Sequence, residues 1–284
     1  MSCVLCSSVG FAHAQNKVAA DDMVISSGLQ GGGYWKAAER LRAAASGVGL
    51  SVRNQASIGS LANLKALMGA SSPVSLAFVQ ADALQYYLKG NPSAAQSIET
   101  LTQLGEECVF IISNRDSDIE TDKDMQKSKR LHLGINSPNS GIWVTFDYMK
   151  GLIPEFQKTT LVYGDTVQMM TDLAHPKTNI EEALMIVHGP NERSPEIDMV
   201  IANPDQFRFV KVSDERLART TSSGEAVYRR VKVAPGAVED ADPVETICMH
   251  TLLVANKNKV TAPQREKLTV LINTHWEQVR SGAQ

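Results

Sequence analysis

Polar turns rich in glycine, serine and asparagine are the parts of this chain that could do chemistry. Residues 57–60 form such a turn between a strand pattern and a helix pattern, and Gln80 and Asp82 stand where the next strand pattern ends. In open α/β sheets these turns gather at the carboxyl ends of the strands, where the N–H groups of helix starts favour anions. The chemistry that they predict is noncovalent binding of a small molecule in a crevice.

The succession of strand, polar turn and helix recurs along the chain. Residues 26–33 hold a run of serine and glycine, and later polar turns lie at 136–141 and 164–166. Glycine lets a backbone approach a ligand closely. Residues 26–33 lack the spacing of a dinucleotide fingerprint and the Gly-Lys-Ser/Thr of a nucleotide-binding loop. A plain flexible turn is therefore the alternative interpretation of that run.

The elements that must position these turns show two alternating periods. Apolar residues repeat at helical spacing behind the turns, as Leu61, Leu64 and Leu67 do before Gly69. Short apolar strands precede the turns, and long extended runs at 101–113 and 244–255 connect one block of such units to another. The sequence predicts an α/β protein of two blocks, each with its polar turns on one edge.

Metal and hydrolase chemistry find no support in the motifs. The six histidines show no metal-ligand spacing, and the sequence lacks HExxH, paired CxxC and GxSxG motifs. The acidic run 116–124 fails as a calcium loop at Thr121 and Lys127, and a solvated face explains it better. His188 stands at a strand end, where a ligand hydrogen bond and a structural one are both open. We expect no metal, no cofactor and no enzymatic activity.

Composition and charge exclude two classes of partner. The chain has 284 residues, of which 43% are hydrophobic, and a formal net charge of −3. It can bury a core, but it has no basic field that would attract nucleic acid or an anionic membrane. Residues 1–14 end in Ala12-His13-Ala14, which fits a secretory cleavage site although no Lys or Arg precedes the apolar part. We expect a cleaved signal peptide and export, with a disordered terminus as the alternative.

Two of the four cysteines would remain after cleavage. Cys108 and Cys248 each lie in an apolar strand pattern, whereas Cys3 and Cys6 would leave with the signal peptide. In an oxidising compartment the remaining pair could form a disulfide. Two inert buried thiols are the alternative.

Four motifs, taken in order, resemble the TAXI family, the solute-binding subunits of TRAP transporters. They are GLQGGGYW (28–35), SIGSLANLKALMG (57–69), SLAFVQADA (75–83) and GINSPNSG (134–141). The resemblance implies an α/β, two-lobed type II periplasmic binding protein fold, with lobe 1 at 15–107 plus 250–284 and lobe 2 at 108–249. Two hinge strands at 107–114 and 246–256 would flank an interlobe ligand cleft, and they would place Cys108 and Cys248 on neighbouring strands.

The resemblance also implies the ligand and the partner. It predicts a soluble, monomeric periplasmic protein that captures a small organic anion, either an amino acid or a carboxylate such as glutamate or a dicarboxylate. The protein would deliver that ligand to the TRAP membrane subunits. Carried over residue by residue, and with His188 added from its place at a strand end, the ligand-binding residues are Gly33, Tyr34, Ser57, Gly59, Ser60, Asn63, Gln80, Asn136, Ser140, Gly141 and His188.

Departures from the family pattern and two other functions stay open at this point. Gly33 replaces the usual threonine of the first turn, and Trp35 replaces the second aromatic of a tyrosine pair, so ligand choice could differ. The ligand-loaded protein could signal to a membrane receptor instead of feeding a permease. A group-transfer enzyme on the same fold would need a catalytic pair that the sequence does not reveal.

Overall fold

The computed structural model describes residues 22–175, 182–220, 226–237 and 242–281. Its strands are β1 (Asp22–Ser26), β2 (Ser51–Gln55), β3 (Val74–Gln80), β4 (Ile98–Asn114), β5 (His132–Ile135), β6 (Thr160–Tyr163), β7 (Ala183–His188), β8 (Phe207–Val210), β9 (Arg229–Val233) and β10 (Val244–Asn256). Its helices are α1 (Gly33–Gly47), α2 (Ser60–Met68), α3 (Ala81–Gly90), α4 (Asp122–Lys127), α5 (Gly141–Leu152), α6 (Thr166–Leu173), α7 (Pro195–Ala202) and α8 (Ala262–Arg280). Within these ranges no helix is long and apolar enough to cross a membrane.

The strands form one mixed sheet whose two halves share a central antiparallel pair. The order is β2-β1-β3-β10-β4-β7-β5-β6, with β8 paired to β4 and β9 paired to β10. We call β1–β3 with α1–α3 and α8 the first half, and β5–β7 with α4–α7 the second half. Strands are parallel within β2-β1-β3 and within β7-β5-β6, while β10 and β4 run antiparallel to their neighbours. The carboxyl ends of the parallel strands therefore carry the polar turns of each half.

Alternation along the strands builds a core on both faces of each half. In β1, Met23 and Ile25 pack with the cluster under α1 and α8, whereas Val24 packs with the cluster under α2 and α3. In β4, Val109 and Phe110 divide in the same way between the two clusters of the second half. Successive side chains of a strand point to opposite faces, so a strand covered on both sides is apolar throughout.

The long strands β4 and β10 run through both halves and carry the disulfide. Residues 98–108 of β4 pair with β10, and residues 108–113 of β4 pair with β7. Cys108 and Cys248 are directly opposite in register, fully buried and bonded to each other. The disulfide alternative from the sequence is confirmed, and the alternative of two free thiols is wrong. Register puts both sulfurs on one face of the paired strands, where strand neighbours are close enough to bond.

Three local features refine the sequence prediction. The capping box at Thr261 and Gln264 starts α8 as predicted, and Trp276 donates from Nε1 to Gln103 O at 2.7 Å from a buried position. Residues 195–202, for which the sequence predicts no element, form α7 behind a Ser194 cap and Pro195. The interpretation of residues 116–124 as a solvated face is wrong at Asp122, which is buried.

Asp122 is buried, and backbone donors satisfy one of its two carboxylate oxygens. Its Oδ2 accepts the N–H groups of Ser213 at 3.0 Å and Asp214 at 2.7 Å. A carboxylate can leave water when hydrogen-bond donors replace it. The chain thus ties the start of α4 to the segment that follows β8.

Replacing both bridged cysteines, in a Cys108→Ala/Cys248→Ala variant, should lower the free energy of unfolding by about 2–4 kcal/mol. The crosslink joins residues 140 positions apart, so its loss frees a long loop in the unfolded chain. Urea denaturation of the variant and the wild type measures the effect. Wild type incubated with dithiothreitol under native conditions should keep its midpoint, because both sulfurs are buried. Equal midpoints for variant and wild type would contradict a stabilising crosslink.

Candidate functional site

The polar turns of the first half are fixed to one another by backbone hydrogen bonds. Ser27 N donates to Gln55 O at 3.1 Å, and Ser57 N donates to Gly28 O at 3.0 Å. These bonds continue the β1–β2 ladder past the ends of the strands. The starts of α1 and α2 therefore lie side by side at one edge of the sheet.

Asn63 holds three segments of this edge together. Its Oδ1 accepts from Ser26 Oγ at 2.6 Å, and its Nδ2 donates to Phe78 O at 2.7 Å and to Ser27 O. The side chain is fully buried on α2. Both N–H donors and one acceptor position of the Asn63 amide are used inside the protein. The structure therefore gives this predicted ligand contact a positioning role toward the first turn and β3.

Ser60 and Gln80 meet at the start of α2. Gln80 N donates to Ser60 Oγ at 3.0 Å, and Ser60 Oγ lies 3.3 Å from Gln80 Oε1. Just before them, Gly59 N donates to Ser57 Oγ at 3.1 Å, and Gly59 has a φ of 134° that side chains rarely adopt. Four of the predicted residues are thus adjacent in space around one helix N-terminus.

The N-terminus of α5, from the second half, faces that of α2. A Cβ placed on Gly59 would lie 3.4 Å from Gly141 N, and one placed on Gly141 would lie 2.7 Å from Gln80 Oε1. Ser140 caps α5 by accepting from Trp143 N at 3.3 Å. Asn136 is exposed, and its Oδ1 accepts from Ser137 N at 2.6 Å within its own turn. Glycine and serine turns of both halves therefore converge, and two helix N-termini point at one region.

Tyr34 reaches from α1 to the central strands. Its hydroxyl donates to Glu107 Oε2 at 3.1 Å and lies 3.4 Å from Thr251 Oγ1. Thr251 pairs with Gln80 across β10 and β3, so Tyr34 brings these side chains together at the edge where the polar turns lie. Gly33, the residue before Tyr34, is exposed at the start of α1.

Glu107 is an unusual carboxylate for such a place. Burial raises the pKa of Glu107 to about 7, although hydrogen bonds from Tyr34 and Gln80 oppose that rise. The charges of Asp82 and Glu192 raise the pKa of Glu107 further. Glu107 therefore ionises near neutral pH, and a cation beside it would lower its pKa.

Asp82 is a second buried carboxyl at this edge. Burial raises the pKa of Asp82 to about 6, although the hydrogen bond from the Tyr228 side chain opposes that rise. Tyr228 OH donates to Asp82 Oδ2 at 2.8 Å, and Ala83 N donates to Asp82 Oδ1 at 2.6 Å. Donors rather than a cation thus compensate for the burial of this group.

His188 lies at the end of β7 and pairs with Glu192. The distance from His188 Nδ1 to Glu192 Oε2 is 3.7 Å, and Gly189 N donates to the same oxygen at 3.1 Å. Burial alone would lower the pKa of His188, but the hydrogen bond and charge of Glu192 outweigh it and raise the pKa. Of the two roles that the sequence left open, the structure shows a structural partner for His188.

The predicted site residues differ in where the structure places them. Tyr34, Ser57, Gly59, Ser60, Gln80, Ser140 and Gly141 are brought to one edge, whereas Asn136 is turned toward its own backbone. Sequence reasoning assigned no role to Glu107, Glu192 or Tyr228, since nothing in their local patterns marks them. Among the described residues, no group of three His, Cys, Asp or Glu side chains is arranged to hold a metal ion.

A sequence model described as the NMT1-like family matches residues 25–279. The chain belongs to the NMT1-like family. No curated protein matches its sequence. Three solved structures illustrate what this NMT1-like chain is similar to in fold, each at a TM-score of 0.52: an ABC-type phosphate transport receptor from Vibrio cholerae (13% identity, 92% of this chain and 97% of that chain), a putative sulfonate ABC transporter periplasmic binding protein from Methylobacillus flagellatus (11%, 93% and 69%), and an ancestral arginine-binding protein bound to arginine (9%, 93% and 98%).

At these identities the likeness shows the fold. The NMT1-like chain has the type II periplasmic binding protein fold, so the predicted fold class is confirmed. The converging turns lie between the two halves of the sheet. We use "lobe" for each half from here on.

Replacing Asn63 by alanine should lower the free energy of unfolding by about 2–4 kcal/mol, because Phe78 O and Ser27 O would each lose a buried donor. Asn136→Ala is the matched control, and it should change stability by less than about 0.5 kcal/mol because the side chain is exposed. Chemical denaturation of both variants tests the difference. Similar stabilities for the two variants would contradict the positioning role of Asn63.

The difference in free energy of unfolding between an Asp82→Asn variant and wild type should shift in favour of the variant as the pH rises from 4 to 7. A pKa raised from 3.8 to about 6 in the folded state corresponds to about 3 kcal/mol of stability. That contribution is present below pH 4 and is lost as the pH rises through 6. Denaturation across this pH range measures the difference. Asp205→Asn, at an exposed position, is the control, and a parallel pH profile for both variants would contradict the assignment.

Proposed function

We propose that this chain is an extracytoplasmic solute-binding protein of the TAXI type, which captures an amino acid between its lobes and delivers it to a TRAP-type membrane permease. The observation that carries the proposal is the meeting of the α2 and α5 N-termini above the carboxyl of Glu107. Binding of this kind requires no chemistry on the solute. A ligand that touches both lobes stabilises the closed form by its differential affinity.

One pole of the proposed site favours an anion. Backbone N–H groups at the starts of α2 and α5, together with the hydroxyls of Ser57, Ser60 and Ser140, would receive a carboxylate. Helix N-termini carry partial positive charge and unpaired N–H donors. Gly33, Gly59 and Gly141 would let the backbone of both lobes approach that group, with Tyr34, Asn63 and His188 placed behind them.

The other pole favours a cation. Glu107 Oε2 already accepts from Tyr34, and burial raises the pKa of Glu107 to about 7. An ammonium group placed beside it would favour the ionised form. The two poles together fit a zwitterion better than a dicarboxylate, and we therefore favour the amino acid among the small organic anions that the sequence predicts.

The comparisons support a solute-binding role by analogy of fold. The similar structures are named as receptors or binding proteins for phosphate, sulfonate and arginine. A shared fold alone does not assign a ligand, so the chemistry of the poles decides between classes. The lobe boundaries that we propose are 15–107 with 250–284 for lobe 1 and 108–249 for lobe 2.

The buried disulfide supports an exported protein. Disulfides persist in oxidising compartments such as the bacterial periplasm. We accordingly propose a periplasmic location, a cleaved signal peptide at residues 1–14 and a monomer. The alternative output is a signal to a membrane receptor, which would use the same closed form.

Binding of matched ligand pairs tests the proposed function. Glutamate and arginine would be compared with their desamino analogues, glutarate and 5-guanidinopentanoate, by thermal shift and calorimetry. We expect an amino acid to bind and its analogue to bind at least tenfold more weakly. At one hundred times its Kd, a ligand adds about 2.7 kcal/mol of stability. Absence of binding across a panel of amino acids and carboxylates would contradict the proposed function.

A pair of variants on one strand assigns the cationic pole. Glu107→Gln should weaken amino acid binding by about 10- to 100-fold, because a charged hydrogen bond contributes about 1.5–3 kcal/mol. Glu99→Gln should leave binding unchanged, since Glu99 pairs with Arg265 of α8 within lobe 1. Equal losses in the two variants, or none in either, would contradict the role of Glu107.

A further inference from the structure

A groove of about 710 Å³ lies at the end of lobe 2 that is remote from the crevice, and we call it the distal groove. It is lined by the end of α7, by β8 and by the start of β10, and its lining residues all lie between 115 and 245. Phe207 in its lining pairs with Asn114 of β4, which places it roughly 20 Å along that strand from Glu107. The distal groove is therefore separate from the crevice, and its shape does not depend on the angle between the lobes.

One wall of the distal groove is apolar. Phe207 and Phe209 alternate with Arg208 along β8, so both rings lie on the face that packs with α7. Phe209 packs on Phe110 at 5.7 Å between ring centroids and still remains half-buried, as does Ile201 near the end of α7. An alkyl chain laid along this wall would remove apolar surface of both side chains from water, which favours binding.

Two lysines share one carboxylate at the end of the groove where β8 stops. Lys211 Nζ lies 2.7 Å from Glu245 Oε2, and Lys232 of β9 is directly opposite Glu245 in register. The hydrogen bond from Lys211 lowers the pKa of Glu245, and the charge of Lys232 lowers it further. Within the part of the chain that the structure describes, Lys232 forms no ion pair with another carboxylate. One acid thus balances one of the two cations, and an added anion would find a positive charge at this end.

The other charged residues of the groove leave this excess in place. Four cationic side chains and two carboxylates line the groove, although the net charge of the chain is −3. Arg208 is paired with Glu120, and Arg115 donates from Nε to Pro204 O at 3.0 Å near the start of β8. Asp242, the second carboxylate, is exposed ahead of β10. Even with Glu120 counted, cations outnumber acids, so the groove is locally positive.

We propose that the distal groove binds an amphipathic organic anion, with its alkyl chain along Phe209 and Ile201 and its anionic head between Lys211 and Lys232. Cavities of this volume, lined by aromatic and aliphatic side chains with a few charged groups, are typical of small-molecule sites. A free fatty acid and an anionic phospholipid share the required chemistry. The site goes beyond the proposed function, since it lies outside the crevice and involves no amino acid.

Calorimetric titration of the full chain with matched ligands tests the head and the chain separately. Decanoate should bind, and hexanoate should bind at least about tenfold more weakly, because its shorter chain buries fewer methylene groups. Decyltrimethylammonium has the same chain and the opposite charge, and its head would meet the two lysines, so it should bind at least about tenfold more weakly. Each ligand is used below its critical micelle concentration. Absence of decanoate binding, or equal binding of the two decyl compounds, would overturn the proposal.

Variants locate the head and the chain within the groove. Lys232→Gln should weaken decanoate binding about threefold to fivefold, as expected for an exposed ionic contact. Ile201→Glu should weaken it further, because it places a carboxylate on the apolar wall. Arg115→Gln removes a charge from the opposite end of the same groove, so it is the matched control and should leave the affinity unchanged. Near-ultraviolet circular dichroism verifies that each variant is folded, and equal affinities of Lys232→Gln and Arg115→Gln would overturn the proposal.

Cosedimentation with vesicles identifies the source of the ligand. Phosphatidylcholine vesicles with and without phosphatidylglycerol are compared, using wild type and Lys232→Gln. Cosedimentation that requires phosphatidylglycerol and is reduced in Lys232→Gln would assign the groove to a membrane lipid. Binding of decanoate without such cosedimentation would assign it to a free carboxylate. Both results support the proposal, which the decanoate titration has then already passed.

Competition separates the distal groove from the crevice. Decanoate should bind equally well with and without a panel amino acid that binds wild type, because the two sites are remote from each other. Mutual exclusion of decanoate and the amino acid would place decanoate in the crevice and overturn the proposal. If no panel amino acid binds while decanoate binds and Lys232→Gln weakens it, the proposed function fails and the distal groove stands.

Discussion

The antiparallel pairing of β4 with β10 is the constraint on which the rest of the structure depends. These two strands run through both lobes and lie at the centre of the sheet. Strands β3, β1 and β2 follow in that order on one side, and β7, β5 and β6 follow on the other. The disulfide lies at Cys108, where β4 ends its pairing with β10 and begins its pairing with β7. A covalent link at that register prevents the two strands from sliding, while it leaves rotation of the lobes about them possible. The alignment of the two lobes on either side of the crevice therefore depends on the pairing of β4 with β10.

Charge is distributed unevenly around the crevice, and the unevenness has a structural origin. Helix starts come from both lobes, so the partial positive charge of two helices is concentrated between them. The central strands contribute carboxyls instead, since Glu107 lies on β4 and Asp82 follows β3 directly. These carboxyls differ in their surroundings: Asp82 is enclosed by donors from lobe 2, whereas Glu107 is bonded by Tyr34 from lobe 1 and is only partly enclosed. Two acids of similar pKa thus have different partners available.

Local sequence patterns were sufficient for the frame of the molecule and for the glycine and serine turns. Periodicity and turn residues describe neighbours along the chain, which is why the strand ending at Gln80, the helix behind Ser57 and the cap at Thr261 could be predicted. Contacts over long separations leave no such pattern. Tyr228 and Asp82 are 146 residues apart, and neither residue type is unusual where it stands. Asn63 shows a different limit of prediction from sequence. Its place in the family motif is compatible with a ligand contact, and only its three buried hydrogen bonds show that its amide joins segments of the protein.

The close approach of Gly59 to Gly141 limits the size of the space between the lobes. The space between the two helix starts is filled by main-chain atoms and the amide of Gln80, and a single methyl group at residue 141 would lie 2.7 Å from Gln80 Oε1. Any molecule enclosed there must increase the distance between the helix starts by its own thickness. The angle between the lobes would then depend on the size of the enclosed molecule. A surface that spans both lobes would have a different shape for each solute. A membrane partner that binds this surface would distinguish an empty site from an occupied one, and a small solute from a large one.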